Sequence, residues 1–155
     1  MIKVLFVCLG NICRSPMAEA VFRHLIQKEK FDDHITVDSA ATSNWHIGKP
    51  PHHGTVNKLN EYEISTDKLI CRQLEKGDYE NFDYIIGMDE SNIENIYNML
   101  GKPNDPKIIR LLDLTEHNKD VPDPYYTGDF QETYDLVTEG CHVLLEKIKQ
   151  EHQLK

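Results

Sequence analysis

Apolar and polar positions along the chain follow two periods, one typical of buried strands and one typical of amphipathic helices. Residues Lys3–Cys8 form an apolar, β-branched run followed by Gly10, which predicts a buried strand that ends in a turn. Ser15 is a good N-cap and Pro16 suits a first helical position, and apolar residues at helical spacing predict a helix to about Lys30. The chain is therefore expected to open with a strand, a tight turn and a helix.

The same two periods recur further along the chain. Short apolar runs predict three more strands: Ile35–Ala41, Phe82–Met88 and Ile108–Leu112. Helical spacing predicts three more helices: one reaching about Tyr62 after a loop at Trp45–Gly54, one capped by Asp89, and one from about Asp129. Strands that alternate with helices imply parallel βαβ units, whose ligands bind beyond the carboxyl ends of the strands. We predict an α/β fold, a four-stranded parallel sheet with helices on both faces, in a single domain over residues 1–155.

Composition and charge narrow the classes of function. The net charge of −9, from 26 acidic and 17 basic residues, argues against a nucleic-acid partner. No apolar stretch is long enough to span a membrane, and no secretory signal is present, so a cytoplasmic monomer is expected, with export without a signal peptide left open. An acidic surface repels phosphorylated ligands at long range, so an anion site must rely on donors at short range.

Neither the cysteines nor the histidines form a metal motif. The spacing of the four cysteines matches no zinc pattern: Cys8, Cys13, Cys71 and Cys141. Cys141 falls on the apolar face of the last helix and is expected in the core, whereas Cys71 has no partner in the sequence. His52 and His53 are expected to point apart, and neither they nor His46 have an accompanying acidic ligand pattern. We therefore predict no metal site and no cofactor.

The segment Cys8–Ser15, between a strand and a helix N-terminus, has the properties of an anion cradle. Successive backbone N–H groups in a tight turn point inward, and the helix dipole adds partial positive charge. Gly10 is expected to allow the sharp path, and Asn11 tolerates a left-handed conformation. Arg14 can direct two donors at a tetrahedral oxyanion. A cysteine in that field is expected to be a thiolate that attacks phosphorus, although a structural cysteine in a βα turn is the alternative.

A second motif, Val121–Tyr126, places Asp123 between two prolines that fix the local backbone. A rigidly presented carboxylic acid can supply the proton that a leaving phenolate needs. Tyr125 and Tyr126 could form the walls of a slot that holds an aromatic ring. The alternative is a proline-rich surface turn in which the aspartate hydrogen-bonds its own backbone.

The two motifs together resemble the low-molecular-weight protein tyrosine phosphatase family, and the resemblance extends over nearly the whole chain. It rests on these segments and residues: Val7–Ser15, Asp38–Ala40, Trp45, Gly48, Met88–Asn92 and Val121–Tyr126. The resemblance implies the flavodoxin-like fold of that family and the hydrolysis of phosphotyrosine in proteins or peptides, without metal or cofactor. It does not indicate which phosphoprotein is the substrate.

The resemblance also implies roles for individual residues. Cys8 would attack phosphorus, Arg14 and the loop N–H groups would bind the phosphate, and Asp123 would serve as general acid and then as general base. The phosphate loop would comprise Leu9, Gly10, Asn11, Ile12 and Cys13. Four residues would support or protect it: Ser15 by donating to Cys8 (or only by capping the helix), Asn11 and Ser39 by bracing the loop, and Asp89 by orienting Arg14. Cys13 could form a reversible disulfide with Cys8 that protects the thiolate from overoxidation, or only fill space at the helix start.

Four residues would line the entrance: Leu9, Trp45, Tyr125 and Tyr126. A deep slot would favour phosphotyrosine over the shorter phosphoserine, although Trp45 could instead anchor its own loop.

Two positions depart from the pattern of the family: one bears on how firmly the loop is held, and the other on whether the substrate is phosphotyrosine or phosphoarginine. Leu69 stands where many members have a histidine, three residues before Arg72, which predicts weaker bracing of the loop. Ile12 stands where related protein arginine phosphatases have threonine, which favours phosphotyrosine as substrate. An arsenate reductase would need further relay cysteines, and Cys71 stands alone. A phosphate-binding module or a redox sensor without catalysis would need neither the thiolate nor the acid.

Overall fold

The strands and helices follow one another in the predicted alternating order. A computed structural model of the chain describes residues 1–154. Its strands are β1 (Ile2–Cys8), β2 (Ile35–Ala41), β3 (Tyr84–Gly87) and β4 (Ile108–Arg110). Its helices are α1 (Arg14–Lys28), α2 (His53–Glu61), α3 (Asp78–Asn81), α4 (Glu90–Leu100), α5 (Pro124–Thr127) and α6 (Phe130–Glu151), with a 3₁₀ turn at Leu111–Leu114.

The four strands form one parallel sheet in the order β2-β1-β3-β4. Because alternate residues of a strand point to opposite faces, β1 supplies two cores. Val4 and Phe6 pack with α1 and α6 on one face, and Leu5 and Val7 pack with α4 on the other. The prediction of an α/β fold, with a four-stranded parallel sheet and helices on both faces, is confirmed.

The topology brings the two motifs of the sequence to the same edge of the sheet. The turn after the central strand β1 begins at Cys8, which is paired with Ala41 at the end of β2. The N–H of Val121 donates to the carbonyl of Met88, just beyond β3, at 2.9 Å. This bond helps to hold the proline-rich segment against the carboxyl end of the sheet, where ligands bind in parallel α/β folds.

Several predicted element boundaries were wrong. Helix α1 begins at Arg14, two residues before the predicted first helical position Pro16, and the N-cap is Cys13, which makes no side-chain cap bond, rather than Ser15. β4 is shorter than predicted, because its apolar run continues into a 3₁₀ turn in which Leu111 and Leu112 are buried. β3 lacks the predicted Phe82, Asp83 and Met88, of which only Met88 is buried. α2 begins at His53, inside the predicted loop, and the four-residue helices α3 and α5 carry no periodic signal in the sequence.

Among residues 1–154, no helix combines the length and the apolar character needed to cross a membrane.

Candidate active site

The turn between β1 and α1 curls around the sulfur of Cys8, which is 3% exposed. The N–H of Asn11 points at this sulfur, with a distance of 3.3 Å between nitrogen and Sγ. Asn11 itself has a φ of +55°, the left-handed conformation that its residue type tolerates and that the sequence predicted. The turn therefore directs at least the N–H of Asn11 inward, as an anion site at a helix N-terminus requires.

Gly10 has a different role from the predicted one. Its φ is not positive; the residue with the left-handed backbone is Asn11. Instead, a Cβ at position 10 would lie only 3.2 Å from Cδ2 of His46, whose ring packs over the turn. Gly10 is thus explained by the close approach of a side chain that the sequence did not place at the site.

A chain of buried polar side chains supports Cys8 from below. Ser15 Oγ lies 3.1 Å from Cys8 Sγ, and Asn11 Nδ2 donates to Ser15 Oγ at 2.7 Å and to Ser39 Oγ at 2.9 Å. The structure thus brings together the three residues predicted to brace the nucleophile. Ser15 does not serve as the helix N-cap, because its hydroxyl faces the sulfur instead.

The loop is braced although Leu69 replaces the histidine. The N–H of Arg72 donates to Asn11 Oδ1 at 3.1 Å, and Cys71 Sγ donates to the carbonyl of Gly10 at 3.2 Å. The Arg72 guanidinium is held in turn by Asp78, at 3.0 and 3.1 Å. A neighbouring segment with its own ion pair therefore supplies contacts to the loop where weaker bracing was predicted.

Arg14 is buried to 3% exposure, and its guanidinium is fixed by groups from other elements. Nη1 donates to Asp89 Oδ2 at 2.7 Å and to the carbonyl of Val121 at 2.9 Å. Burial opposes the charge, but the nearby Cys8 and the hydrogen bond to Asp89 outweigh it and raise the pKa of Arg14. Both N–H groups of Nη1 are engaged, and Nη2 makes only a long contact of 3.5 Å, to Asp123, so Nη2 and Nε are the donors left for a ligand. Asp89 also caps α4 by accepting from the N–H of Asn92.

Asp123 lies at the N-terminus of α5, on the far side of the same cavity. Its Oδ1 accepts from the N–H of Tyr125 at 3.0 Å, and its Oδ2 lies 3.5 Å from Arg14 Nη2. The capping bond is the local contact expected of a proline-rich turn, yet the second oxygen faces the anion cradle. Both sequence interpretations of this aspartate are therefore compatible with the geometry.

These groups open into one cavity of about 310 Å³. Its base is formed by the Cys8 turn and Arg14, and one wall carries Asp123. The remaining lining residues are Leu9, Gly10, Ile12, Cys13, Trp45, His46, Tyr125 and Tyr126. The three aromatic side chains at the rim are exposed by 62% (Trp45), 58% (Tyr125) and 74% (Tyr126). The cavity thus combines a floor that carries the Cys8 turn and the cationic Arg14 with aromatic side chains at its rim.

The other cysteines differ from Cys8 in their surroundings. Burial raises the pKa of the Cys13 thiol to about 12, with Cys8 adding to the shift. Burial and Cys8 likewise raise the pKa of Cys71 to about 11. Cys141 lies fully buried on α6, in the core as predicted. At neutral pH these three are expected to be protonated, unreactive thiols.

The histidines of the α2 region are structural. His52 and His53 do not point apart as predicted; their rings stack with centroids 4.3 Å apart. His52 Nδ1 accepts from the N–H of Gly54, and its ring stacks on Phe130. Within residues 1–154, no three histidine, cysteine or acidic side chains are grouped to hold a metal ion.

Three residues near the site were missed by the sequence reasoning. His46 lines the cavity, Arg72 orients Asn11, and the buried carboxylate of Glu19 accepts from Ser39. His46 is adjacent in sequence to Trp45, which was predicted at the entrance, so its position beside Trp45 could have indicated that it lines the cavity. Glu19 and Arg72 gave no signal, because they act through contacts between distant segments.

Comparison with known proteins identifies the family. The model of the family described as "Low molecular weight phosphotyrosine protein phosphatase" matches residues 3–154. The chain belongs to this family. Among curated relatives, the low molecular weight protein-tyrosine-phosphatase YfkJ of Bacillus subtilis is 52% identical over 99% of this chain and 100% of its own length. The low molecular weight protein-tyrosine-phosphatase PtpA of Staphylococcus aureus is 43% identical over 100% of this chain and 99% of its own length.

Solved structures of low-molecular-weight phosphatases share the whole fold. The crystal structure of YfkJ superposes with a TM-score of 0.94, covering 97% of this chain and 96% of that one. A protein tyrosine phosphatase from Entamoeba histolytica, 33% identical, superposes with a TM-score of 0.90 over 98% and 99% of the two chains. The predicted family and fold are therefore confirmed.

Proposed function

We propose that this phosphatase hydrolyses phosphotyrosine in proteins or peptides through a phosphocysteine intermediate on Cys8. One observation carries the proposal: Cys8, Arg14 and Asp123 line a single cavity whose rim is aromatic. A thiolate, an anion-binding guanidinium and a carboxylic acid are the three groups that the two-step reaction needs. The names of the curated relatives support phosphotyrosine as the substrate.

In the first step, the Cys8 thiolate attacks phosphorus and the bond from phosphorus to the phenol oxygen breaks. Asp123, in its protonated form, transfers its proton to the departing phenol oxygen. The inward-facing N–H groups of the turn and the free donors of Arg14 bind the phosphoryl oxygens, on which charge is spread in the transition state. Asp89 and Val121 keep the guanidinium in place, so little reorganisation is needed during the reaction.

In the second step, a water molecule attacks the phosphorus of phosphocysteine. Asp123, now ionised, takes a proton from this water, the S–P bond breaks, and inorganic phosphate and the Cys8 thiolate are released. The hydroxyl of Ser15, 3.1 Å from Cys8 Sγ, can donate to the thiolate as it leaves. The same hydrogen bond would hold the free enzyme in the ionised state needed for the next attack.

The shape of the site supports an aromatic substrate. The sulfur is nearly inaccessible at the floor, whereas the exposed rings of Trp45, Tyr125 and Tyr126 stand at the rim. A phosphotyrosine can place its ring between these side chains while its phosphate reaches the floor. A phosphoserine is shorter and would leave the aromatic walls without contact.

Phosphoarginine is the competing substrate to be tested. A solved relative described as drosophila arginine phosphatase is 32% identical to this chain and superposes with a TM-score of 0.85. In this chain, Ile12 lines the cavity and offers no side-chain hydrogen bond to a guanidinium. The apolar side chain at position 12 supports phosphotyrosine rather than phosphoarginine as the substrate.

The proposal is tested by phosphate release from matched phosphotyrosine, phosphoserine and phosphoarginine peptides. The assay contains a chelator and a thiol reductant, and Cys8→Ser and Cys141→Ser serve as the nucleophile variant and the matched control. We expect release from phosphotyrosine alone, lost in Cys8→Ser and retained in Cys141→Ser. Release that persists in Cys8→Ser would overturn the mechanism, and faster release from phosphoarginine would overturn the substrate.

A further inference from the structure

Glu19 is a buried carboxylate in α1 that lies outside the cavity and has no role in the steps above. It is 4% exposed, and its Oε1 accepts from Ser39 Oγ at 2.6 Å. Its Oε2 accepts from Arg23 Nη2, one helical turn further along α1. A carboxylate buried to this degree is costly unless a cation and hydrogen bonds compensate it, and both are present here.

Glu19 is the end of a hydrogen-bonded chain that leads to the nucleophile. The chain runs from Glu19 through Ser39, Asn11 and Ser15 to Cys8 Sγ, and each link is between 2.6 and 3.1 Å. The three side chains between Glu19 and Cys8 are all buried, so no bulk water can substitute for a missing link.

The directions of the hydrogen bonds in this chain follow from the groups that can only donate or only accept: the Arg72 N–H, the ionised Glu19 carboxylate and the Cys8 thiolate. The backbone N–H of Arg72 can only donate, so the Asn11 atom facing it is Oδ1 and the Nδ2 group faces both serines. Each serine oxygen therefore accepts from Asn11 and has a single proton left to donate. Ser39 donates its proton to the ionised Glu19 carboxylate, and Ser15 donates its proton to Cys8 when Cys8 is a thiolate, because each of these anions can only accept.

We propose that Glu19 and Arg23 form a positioning pair for the nucleophile. The ionised Glu19 carboxylate takes the Ser39 proton, Ser39 thereby presents a lone pair to Asn11, and Asn11 holds Ser15 with its proton directed at the Cys8 sulfur. Arg23 keeps Glu19 ionised within a buried site. The inference rests on the proposed function only in taking Cys8 as the nucleophile.

The charges around both ends of the chain fit this role. Burial raises the pKa of Glu19 and nearby Asp38 adds to the shift, while the Ser39 and Arg23 contacts oppose it. Asp38 is itself paired with Arg72, at 3.0 Å. The groups that face Cys8 are Arg14, Asp123 and the protonated thiols Cys13 and Cys71. Since Arg23 is the direct cationic partner of Glu19, its removal is expected to favour protonation of that carboxyl.

Positioning and simple electrostatics predict opposite results for Glu19→Gln. Glutamine has one acceptor oxygen, but Ser39 and Arg23 both donate, so one of the two contacts is lost and the chain is loosened. The Cys8 thiolate would then lose part of its hydrogen bond from Ser15, and its titration midpoint would rise. Removing a distant negative charge would instead stabilise the thiolate and lower the midpoint.

The experiment measures the rate of Cys8 alkylation by iodoacetamide as a function of pH in the full chain. Each variant is also made in a Cys8→Ser background, whose rate is subtracted to remove the other cysteines. The variants are Glu19→Gln, Arg23→Met and Arg23→Lys, with Lys147→Met as the control, because Lys147 and Glu151 form a comparable pair on α6. Arg23 is 33% exposed, so its variants are expected to fold even if Glu19→Gln does not.

We expect Glu19→Gln and Arg23→Met to raise the titration midpoint of Cys8. At a pH below the midpoint, alkylation should slow by about three- to tenfold, which corresponds to one weakened hydrogen bond to a charged group. Arg23→Lys should restore most of the wild-type rate, and Lys147→Met should match the wild type. An unchanged or lowered midpoint in Glu19→Gln or in Arg23→Met, or an equal shift in Lys147→Met, would overturn the proposal. The readout needs no turnover, so a wild-type protein inactive on phosphotyrosine would refute only the proposed function.

Discussion

The chemistry of the site depends on how individual side chains are held. Arg14 is fixed through one nitrogen by Asp89 and Val121, and Asn11 is oriented by the N–H of Arg72. Asp123 differs, because one oxygen caps α5 and the other makes only a long contact of 3.5 Å to Arg14. In the proposed mechanism, this loosely held oxygen is the one that exchanges a proton with substrate and water.

The replacement Asp123→Asn tests this role. The amide keeps an acceptor for the N–H of Tyr125 but cannot transfer a proton, so turnover is expected to fall by about 10²–10⁴. The loss should shrink for aryl phosphates whose phenols are stronger acids, because such leaving groups need no proton. The measurement is kcat across a series of aryl phosphates.

Asp120→Asn is the matched control, since Asp120 pairs with Arg110 outside the cavity. If poor and good leaving groups suffer equally in Asp123→Asn, then Asp123 is not the acid.

The sequence indicates the proposed reacting residues more directly than the residues that support them. Cys8, Arg14 and Asp123 stand in local motifs whose residue types already indicate their chemistry. Glu19 reaches the site only through Ser39, twenty positions away, and its contact cannot be seen before the fold is known. Gly10 was predicted for a conformational reason, but the close approach of His46 explains it, because packing between segments has no local signature.

At the scale of elements, the alternation of strands and helices was predictable, but the ends of the elements were not. β4 continues into a buried apolar turn, so hydrophobicity alone extends that strand too far. The last helix was predicted well, because Asp129 caps it and its apolar face repeats over many turns. Capping bonds and long periodic runs are local, and they are the features that a sequence displays.

The packing of α6 leads to a prediction for Gly140→Ala. A Cβ at position 140 would lie 2.6 Å from Cγ of Leu111, in the 3₁₀ turn against which α6 packs. Alanine favours a helix over glycine by up to about 1 kcal/mol, but overpacking a core costs about 1–3 kcal/mol. We therefore expect a net loss in the free energy of unfolding, measured by denaturant titration.

Gly77→Ala is the control for this substitution, because the nearest atom to its Cβ would be 3.9 Å away. A Gly140→Ala protein as stable as Gly77→Ala would contradict the packing described for α6.

At the scale of the whole molecule, the protein carries a net charge of −9, although its proposed substrate is an anion. The site offsets the repulsion with short-range donors from the Cys8 turn and the buried Arg14. Because these donors are buried, salt screens their attraction for an anion only weakly. The long-range repulsion acts through solvent from charges on the protein surface, so it is sensitive to ionic strength.

The repulsion predicts a salt effect that depends on the peptide. For a phosphotyrosine peptide with acidic flanking residues, kcat/KM should rise about two- to fivefold, relative to a neutral-flanked peptide, as chloride increases from low concentration to about 0.15 M. The comparison of the two peptides cancels any direct effect of salt on the enzyme. A ratio that falls with salt would indicate a basic docking surface instead of a net repulsion.

The most direct test of the account is to identify the atom that carries the phosphoryl group during turnover. The Asp123→Asn protein is mixed with an aryl phosphate that has a good leaving group, quenched within one turnover, and analysed by mass spectrometry of its peptides. We predict one phosphoryl group on the peptide that contains Cys8, with none in the Cys8→Ser, Asp123→Asn double variant. Turnover without a phosphoryl group on Cys8, or a phosphoryl group on another residue, would contradict the mechanism.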